Sequence, residues 1–363
     1  MTSLFDRTTM AGLSLPNRIA MAPMNRGRVD DEGVPSPLMA EYYAQRSSAG
    51  LLIADSTYPG PLGRGYRMPG LCTADHVEGW TRVTRAVHLN GGRIFVQLQH
   101  AGRISHPDLL DGQLPVAPSA VRPPDAVLEY EGRKPFEVPH ALTTAEVEDT
   151  VREFAASARR AVLAGFDGIE LQGANGYLLH QFMGVNTNLR TDRYGGSPGA
   201  RARMAIETAQ AAAETIGAHR VGIRLSPGNI FNDMDEGDTP ALYEALVPAL
   251  ARLGLAYVHV VENGEREYTR LLRKLWPYTL IVSPRHEPMV HPTTGCFAEP
   301  VGLDAAREVL DEQLADLVAF GRHFIANPDL PRRLAEGAPL NPLDFATLYP
   351  GHAAGYTDYP ALP

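Results

Sequence analysis

The feature that most constrains the fold is an alternation, along the whole chain, of short apolar segments with longer amphipathic ones. The short segments are rich in β-branched residues and the long ones have helical spacing, so the pattern predicts βα units around a parallel sheet. The predicted strands are residues 19–24, 51–58, 93–100, 168–174, 221–227, 256–263, 279–284 and 316–322. Eight such strands predict an α/β fold, a (β/α)8 TIM barrel.

Helical patterns follow each predicted strand and support the same architecture. They cover residues 37–49, 77–89, 145–163, 201–216, 239–253, 265–274, 303–312 and 330–336. Thr143 and Glu146 have the spacing of a capping box, which predicts where the third helix begins. We expect residues 1–363 to form a single barrel domain.

Additional segments interrupt the repeat and are expected on the barrel's two ends. The Pro-rich segment 107–140, the stretch 184–198 and the long connection 283–301 are βα connections, which in a barrel lie on the catalytic, C-terminal face. Residues 1–18 precede the first strand. We expect them to close the opposite end as a short cap, with Leu4, Phe5 and Leu13 packed against the barrel.

The charge balance excludes several classes of partner. Acidic residues outnumber basic ones by 42 to 33, a formal net charge of −9, which repels nucleic acids and anionic membranes. No apolar run approaches the ~18 residues that span a bilayer, and the first residues lack the apolar segment of a secretion signal. We therefore expect a cytoplasmic monomer or homodimer that acts on a small molecule.

The sequence does not predict a metal site. The two cysteines, Cys72 and Cys296, lack the pairing of zinc or iron–sulfur ligands, which also fits a reducing compartment. His286 and His291 are five positions apart rather than four, with Pro288 between them, so they do not form the helical zinc motif.

The predicted strand ends carry mostly neutral hydrogen-bonding side chains, which favours a flat polar ligand over hydrolysis by paired carboxylates. These residues are Asn25, Ser56, Gln97, Gln99, His100, Gln172, Asn175, Tyr177, Arg224, His259 and Arg322. Arg224 and Arg322 end the fifth and eighth strands, where barrels often bind phosphate. For either arginine alone, an ion pair with a carboxylate at the rim is the favoured interpretation, but the two together favour an anion site.

Segment 165–183, GFDGIELQGANGYLLHQFM, followed by 186–196, NTNLRTDRYGG, resembles the Old Yellow Enzyme family of FMN-dependent oxidoreductases. Supporting stretches extend along nearly the whole chain. They are LPNRIAMAPM (15–24), PLMAEYYAQRSSAGLLIADST (37–57), GGRIFVQLQHAGRISHP (91–107), FNDM (231–234), ADLVAFGRHFIANPDLP (315–331) and GYTDYP (355–360). The resemblance implies a TIM barrel that binds FMN tightly but non-covalently at its C-terminal face. NADPH or NADH would reduce the FMN, and an activated alkene would then receive the hydride.

The resemblance also implies roles for individual residues. Pro23, Met24, Asn25, Ser56, Gln97 and Arg224 would contact the flavin, and Gly321, Arg322 and a backbone amide near Gly295 would hold its phosphate. Tyr177 would donate the proton, and Gln172 and Asn175 would bind the carbonyl or nitro oxygen of the substrate. Tyr66, Gln99 and Tyr356 are expected to line the substrate pocket.

Polar departures from the family pattern are concentrated at this pocket. Gln172 replaces a His and can never be cationic, which would cost about 1–2 kcal/mol of transition-state stabilisation. Gln99 replaces an aromatic residue, Asn25 a Thr or Cys, and Ser56 an Ala or Gly. The connection 283–301 is longer than the family's Gly-rich turn and could cover the pocket. Together these changes predict a specialised substrate rich in hydrogen-bonding groups, such as a natural-product intermediate.

Three functions remain open from the sequence. The first is an NAD(P)H-dependent, FMN-containing ene-reductase. The second is a flavin-dependent desaturase or redox-neutral isomerase that uses nicotinamide weakly, since the His is missing. The third is a catalytically silent binder of FMN or another small molecule, against which Tyr177, Asn175 and the intact flavin contacts argue.

Overall fold

The computed structural model describes residues 2–124, 134–264, 266–285, 302–349 and 351–363. Gly295 and most of the connection 283–301 therefore lie outside the described residues. Within the described part of the chain, no helix combines the length and apolar character that crossing a membrane requires.

Eight strands form a closed barrel in which each strand is parallel to its neighbours. In chain order they are Ile19–Met21, Leu51–Thr57, Ile94–Leu98, Gly168–Gly173, Val221–Leu225, Tyr257–Val261, Thr279–Ser283 and Leu317–Phe320. They follow one another around the barrel, and the eighth pairs with the first. The predicted TIM barrel is confirmed.

The main helices cover the barrel at positions close to those predicted. They are Pro37–Gln45, Ala74–Leu89, Thr144–Leu163, Arg203–Ile216, Thr239–Leu253, Arg266–Leu275, Leu303–Asp311 and Leu330–Glu336. Three further helices were not predicted: Leu178–Met183, Pro198–Arg201 and Arg322–Ala326. The prediction that Arg322 ends the eighth strand was wrong, because the strand stops at Phe320 and Arg322 begins a short helix.

A β-hairpin closes the N-terminal end of the barrel. Its strands, Thr8–Met10 and Leu13–Leu15, pair antiparallel through a tight turn in which Gly12 has a φ of 86°. Met10 and Leu15 pack with side chains of the barrel interior. Leu4 is buried and Leu13 packs partly against the same cluster, but Phe5 is 37% exposed, so the prediction that Phe5 closes the barrel was wrong.

The barrel interior changes character along its axis. Its lower part is apolar and contains Phe95, Tyr257 and Ile281 together with the hairpin residues. Towards the C-terminal ends of the strands, Gln97, Glu170 and His259 are fully buried. A second, larger apolar core lies between the strands and the surrounding helices. Inside the barrel, the apolar layer therefore lies at the N-terminal end and this polar layer at the C-terminal, catalytic end.

The capping box on the third helix is confirmed and gives a stability prediction. Glu146 N–H donates to Thr143 Oγ1 (3.2 Å), and Thr143 N–H donates to Glu146 Oε2 (2.7 Å). We expect Thr143→Ala to lower the free energy of unfolding in urea by about 1 kcal/mol, because an orphan helix amide loses its acceptor. Thr81→Ala is the control, since Thr81 lies in the middle of the helix Ala74–Leu89, on its exposed face. Equal effects of the two substitutions would contradict the capping role.

Candidate active site

A directed hydrogen-bond chain crosses the interior at the catalytic end. Ser56 Oγ donates to Gln97 Oε1 (2.7 Å), and Gln97 Nε2 donates to Glu170 Oε1 (2.8 Å). His259 Nδ1 donates to Glu170 Oε2 (2.8 Å), and His259 Nε2 lies 2.9 Å from Ser283 Oγ. Five strands thus contribute to one network that ends on the Glu170 carboxylate.

Glu170 carries the negative charge of this network. Burial alone would raise the pKa of Glu170, but its electrostatic interaction and hydrogen bond with the polar His259 ring, together with the charge of Arg224, outweigh burial, and the pKa is lowered. Burial lowers the pKa of His259, so that its imidazole is neutral. Arg224 is the cation that balances Glu170, although burial lowers the pKa of its guanidinium.

The turn after the fourth strand presents Asn175 and Tyr177. Asn175 has a φ of 57° and Gly176 a φ of 73°. A Cβ at Gly176 would lie 2.5 Å from the Asn232 Cβ and 2.7 Å from a backbone oxygen, so only glycine fits there. Asn175 N–H donates to Ser226 Oγ (2.9 Å), and Asn232 Nδ2 donates to the Asn175 carbonyl (2.8 Å). The turn is therefore fixed by the loop that follows the fifth strand.

A second buried carboxylate, Glu236, supports this turn through His180. Gly176 N–H donates to His180 Nδ1 (2.9 Å), which leaves the proton of His180 on Nε2, where it is donated to Glu236 Oε1 (2.8 Å). Glu236 also accepts from Gly228 N–H, Thr239 Oγ1 and Tyr243 OH, at 2.8, 3.0 and 2.7 Å. The charge of Glu236 is thus fully hydrogen-bonded without access to water.

Tyr66, Gln99 and Tyr177 come together above the interior network. Gln99 Nε2 donates to Tyr66 OH (3.0 Å). Burial raises the pKa of Tyr177 well above its ordinary value, and the Tyr66 hydroxyl raises it further. Burial also raises the pKa of Tyr66, against the effect of its hydrogen bonds with Gln99, Ser56 and Tyr177. Both phenols are therefore neutral across the physiological pH range.

The side-chain amides of Asn175 and Gln172 differ in their surroundings. Asn229 Nδ2 donates to Asn175 Oδ1 (3.0 Å), which orients the Asn175 amide and leaves its NH2 group as the available donor. Gln172, beside Arg224 in the sheet, receives and donates no side-chain hydrogen bond within the described residues. The Asn175 amide is therefore held in one orientation, whereas no described residue orients the Gln172 amide.

The segment after the first strand contains three of the predicted flavin contacts. Pro23 is buried, and Met24 packs partly against the main core with its sulfur 3.5 Å from where a Gly321 Cβ would lie. Asn25 Oδ1 accepts from Gly27 N–H (2.9 Å). Asn25 Nδ2 is buried and lacks a partner among the described residues, so it is an orphaned donor at this face.

Three arginines lie close together at the C-terminal ends of the fifth, seventh and eighth strands. Burial and the positive charges of Arg224 and Arg322 lower the pKa of Arg285 from 12.5 to about 10. No described carboxylate forms an ion pair with Arg285. Its backbone N–H donates to Glu262 Oε2 (3.3 Å), which holds the chain at this point. Such a cluster of like charges favours a bound anion.

Tyr356 does not lie on the pocket surface, so its prediction as a pocket residue was wrong. Its side chain has no exposed area and stacks on Tyr42 with a centroid distance of 4.1 Å. Arg26, Arg28 and Arg46 surround this pair and donate to backbone carbonyls, including Leu348 O, Gly355 O and Ile325 O. Tyr356 therefore anchors the C-terminal segment behind the site.

Comparison with known proteins assigns the family. The model of the NADH:flavin oxidoreductase / NADH oxidase family matches residues 3–341. The chain belongs to this family. The resemblance to the Old Yellow Enzymes and the predicted enzyme class, a flavin oxidoreductase, are confirmed.

Relatives at high coverage agree with this assignment. A probable flavin mononucleotide-dependent alkene reductase of Leishmania infantum is 38% identical over 97% of this chain and 96% of its own length. A chanoclavine-I aldehyde reductase of Penicillium roqueforti is 39% identical over 99% and 96%. The structure of morphinone reductase in complex with tetrahydroNAD has a TM-score of 0.93, at 41% identity over 100% of this chain and 98% of its own.

Several residues of the site were missed by the sequence reasoning. The sequence analysis assigned Arg285 only to the connection 283–301 and Glu170 only to the fourth strand, without a role in the site. Tyr349, from the C-terminal segment, acts electrostatically on Tyr177 and has no sequence signal. Glu236 could have been suspected from its position shortly after the FNDM segment, but no spacing rule pairs it with His180.

Glu236 gives a prediction for both stability and pH dependence. We expect Glu236→Gln to lower the free energy of unfolding by about 2–3 kcal/mol, because charge-assisted hydrogen bonds are lost in a buried site. Burial would raise the pKa of Glu236, but its hydrogen bonds, led by that of His180, lower it below 4.5. Its stabilisation is therefore complete above pH 4.5 and decreases as the pH falls below that value.

Urea unfolding at pH 7 and at pH 4 measures both effects. The variant should lose stability more gradually with acid than the wild type. Glu214→Gln, on an exposed helix face, is the matched control and should change little. A Glu236→Gln variant as stable as that control at pH 7 would contradict the role given to Glu236.

Proposed function

We propose that this chain reduces the carbon–carbon double bond of an activated alkene that carries several hydrogen-bonding groups, with NADH or NADPH as the hydride source. The observation that carries the proposal is the grouping of Tyr177, Asn175 and Gln172 at one mouth of the barrel, beside orphaned donors and clustered arginines. An alkene beside a carbonyl or nitro group is the substrate class that such donors would polarise.

The described residues fit FMN in three respects. Asn25 Nδ2 lacks an acceptor, which a carbonyl oxygen of the flavin ring would supply. Gln97 keeps one N–H and one oxygen lone pair free for the pyrimidine edge. Among the described residues, Arg224 and Arg285 lack a compensating anion other than Glu170, and a phosphate would supply one. When bound, FMN would accept hydride from the nicotinamide and give it to the alkene.

Tyr177 is the proposed proton donor. Its hydroxyl stays protonated because burial and Tyr66 raise its pKa. The hydroxyl gives its proton to the alkene carbon that does not receive hydride, and the resulting phenolate is reprotonated from solvent. Tyr66, which Gln99 holds by a hydrogen bond of 3.0 Å, is placed to stabilise that phenolate.

Asn175 and Gln172 are the proposed ligands of the activating oxygen. Asn175 presents its NH2 group because Asn229 occupies its oxygen. Gln172 adds a second neutral amide where the family pattern has a potentially cationic His. Two neutral donors polarise a simple enone less strongly than a charged one, which favours a substrate with further hydrogen-bonding groups.

The visible spectrum of the purified protein tests this proposal. A flavin band that bleaches on anaerobic addition of NADH or NADPH, and returns when a polyfunctional enone is added, is expected. Comparing the two nucleotides assigns the reductant. A protein that stays oxidised with both nucleotides would contradict the reductase and favour desaturation or isomerisation. A colourless protein that takes up no FMN would contradict the proposal that FMN is the cofactor.

Gln172→His tests the proposed ligands of the substrate oxygen. We expect the rate of flavin reoxidation by 2-cyclohexenone to rise about tenfold, because a charge-assisted hydrogen bond replaces a neutral one. Stopped-flow measurement of each half-reaction separates this step from reduction by the nucleotide. Gln210→His, on an exposed helix face, is the control. No gain with simple enones would remove Gln172 from the oxygen-binding pair.

Arg285→Gln tests the proposed anion cluster. We expect the dissociation constant for FMN to rise about tenfold, since a cation beside the phosphate is lost, while riboflavin binding changes less than twofold. Quenching of flavin fluorescence by apoprotein measures both constants. Arg307→Gln, an exposed arginine paired with Asp304, is the control. An equal loss for FMN and riboflavin would place Arg285 away from the phosphate.

A further inference from the structure

Ser56 faces the barrel interior because the second strand contains a bulge. The register with the third strand runs Ile53–Phe95 and Ala54–Val96, then shifts, so that Ser56 pairs with Gln97. Asp55 is the extra residue. Since side chains alternate along a strand, Ser56 without the bulge would point to the opposite face from Ile53. The bulge instead turns the Ser56 hydroxyl towards Gln97, at 2.7 Å.

The hydrogen-bond partners of Gln97 distinguish its amide oxygen from its amide nitrogen. An ionised carboxylate only accepts hydrogen bonds, so the amide nitrogen of Gln97 must face Glu170, at 2.8 Å. The amide oxygen then faces Ser56, which has a hydroxyl proton to donate. Rotation of the amide by 180° would place oxygen against carboxylate, which the buried charge of Glu170 disfavours strongly.

The other end of the network sets the same direction. His259 donates its Nδ1 proton to Glu170, and its neutral Nε2 accepts from Ser283 Oγ. Every proton in the chain thus points towards Glu170. On the side of Gln97, Ser56 supplies the donor to the amide oxygen, and its removal would leave that oxygen, which is fully buried, with one partner fewer.

We propose that Ser56 is a positioning residue for the cofactor: by donating to Gln97 Oε1, it holds the Gln97 amide so that its remaining N–H and lone pair face the pyrimidine edge of the flavin. That edge offers an N–H donor next to a carbonyl acceptor, the complement of what Gln97 has left. Ser56 thereby acts through Gln97 and reduces the conformational cost of binding. The inference depends on the proposed function only in taking FMN as the cofactor.

Binding of FMN and of riboflavin to apoprotein, followed by flavin fluorescence, tests this inference. We expect Ser56→Ala to weaken both ligands by the same factor, about five- to tenfold, because the ring is affected and the phosphate is not. Ser56→Thr keeps the hydroxyl, and its dissociation constants for both ligands should lie within about twofold of those of the wild type. Ser47→Ala removes a hydroxyl that is as buried as that of Ser56 but lies outside the barrel, and should leave both constants unchanged.

The outcomes separate this inference from the proposed function. Absence of FMN binding by the wild type would contradict the proposed cofactor, whereas the ratio of variant to wild type concerns Ser56 alone. Unchanged affinities in Ser56→Ala, or a loss confined to FMN, would overturn the positioning role. If Ser56→Ala does not fold, Ser56→Cys keeps the branching of the side chain with a weaker donor and should show an intermediate loss of affinity; an unchanged affinity in that variant would also overturn the positioning role.

Discussion

The buried carboxylate of Glu170 is the constraint on which the catalytic end of the barrel depends. A carboxylate without water costs several kcal/mol unless hydrogen bonds and an opposite charge compensate it. Gln97 and His259 supply the hydrogen bonds, and Arg224 supplies the charge. The third, fifth and sixth strands therefore all carry polar side chains at the same level as Glu170. This requirement separates a polar upper interior from the apolar lower interior around Phe95 and Tyr257.

Two buried carboxylates divide the support of the site between them. Glu170 orients the residues expected to meet the flavin, and Glu236, through His180, holds the turn that presents Asn175 and Tyr177. Each carboxylate is satisfied by donors from separate segments of the chain, so the groups that it holds are oriented before any ligand arrives. Such preorganised dipoles need no rearrangement during the reaction, which is the main source of electrostatic catalysis.

The barrel was predictable from the sequence because its signal is repetitive, and the capping box because its spacing is local. The ends of the strands were less predictable. In the first strand the apolar pattern continues past Met21, although only Ala20 and Met21 pair with the second strand. The helix Leu178–Met183 has too few residues to show a periodicity. Tyr356 was misassigned because its surroundings consist of arginines distant in sequence, and Arg285 was missed because no local pattern distinguishes it.

The structure brings the motif residues Asn175, Tyr177 and Gln172 to the same end of the barrel, but their hydrogen-bond partners were not predictable from the motif. Asn175, Tyr177 and Gln172 were assigned by position in the segment 165–183. Ser226, Asn229 and Asn232, which hold the Asn175 turn, come from the next βα connection. Contacts of this kind depend on which loops the barrel brings together, and one sequence contains no record of that pairing.

The contrast between Asn175 and Gln172 bears on what the enzyme can accept. Asn175 is oriented before substrate binds, whereas the Gln172 amide has no described partner to orient it. A small enone with a single oxygen would have to order Gln172 at its own entropic cost, and would gain only one neutral hydrogen bond in return. A substrate with a second polar group near that oxygen would orient the amide by binding both of its ends. This difference between the two amides supports the proposal of a polyfunctional alkene as substrate.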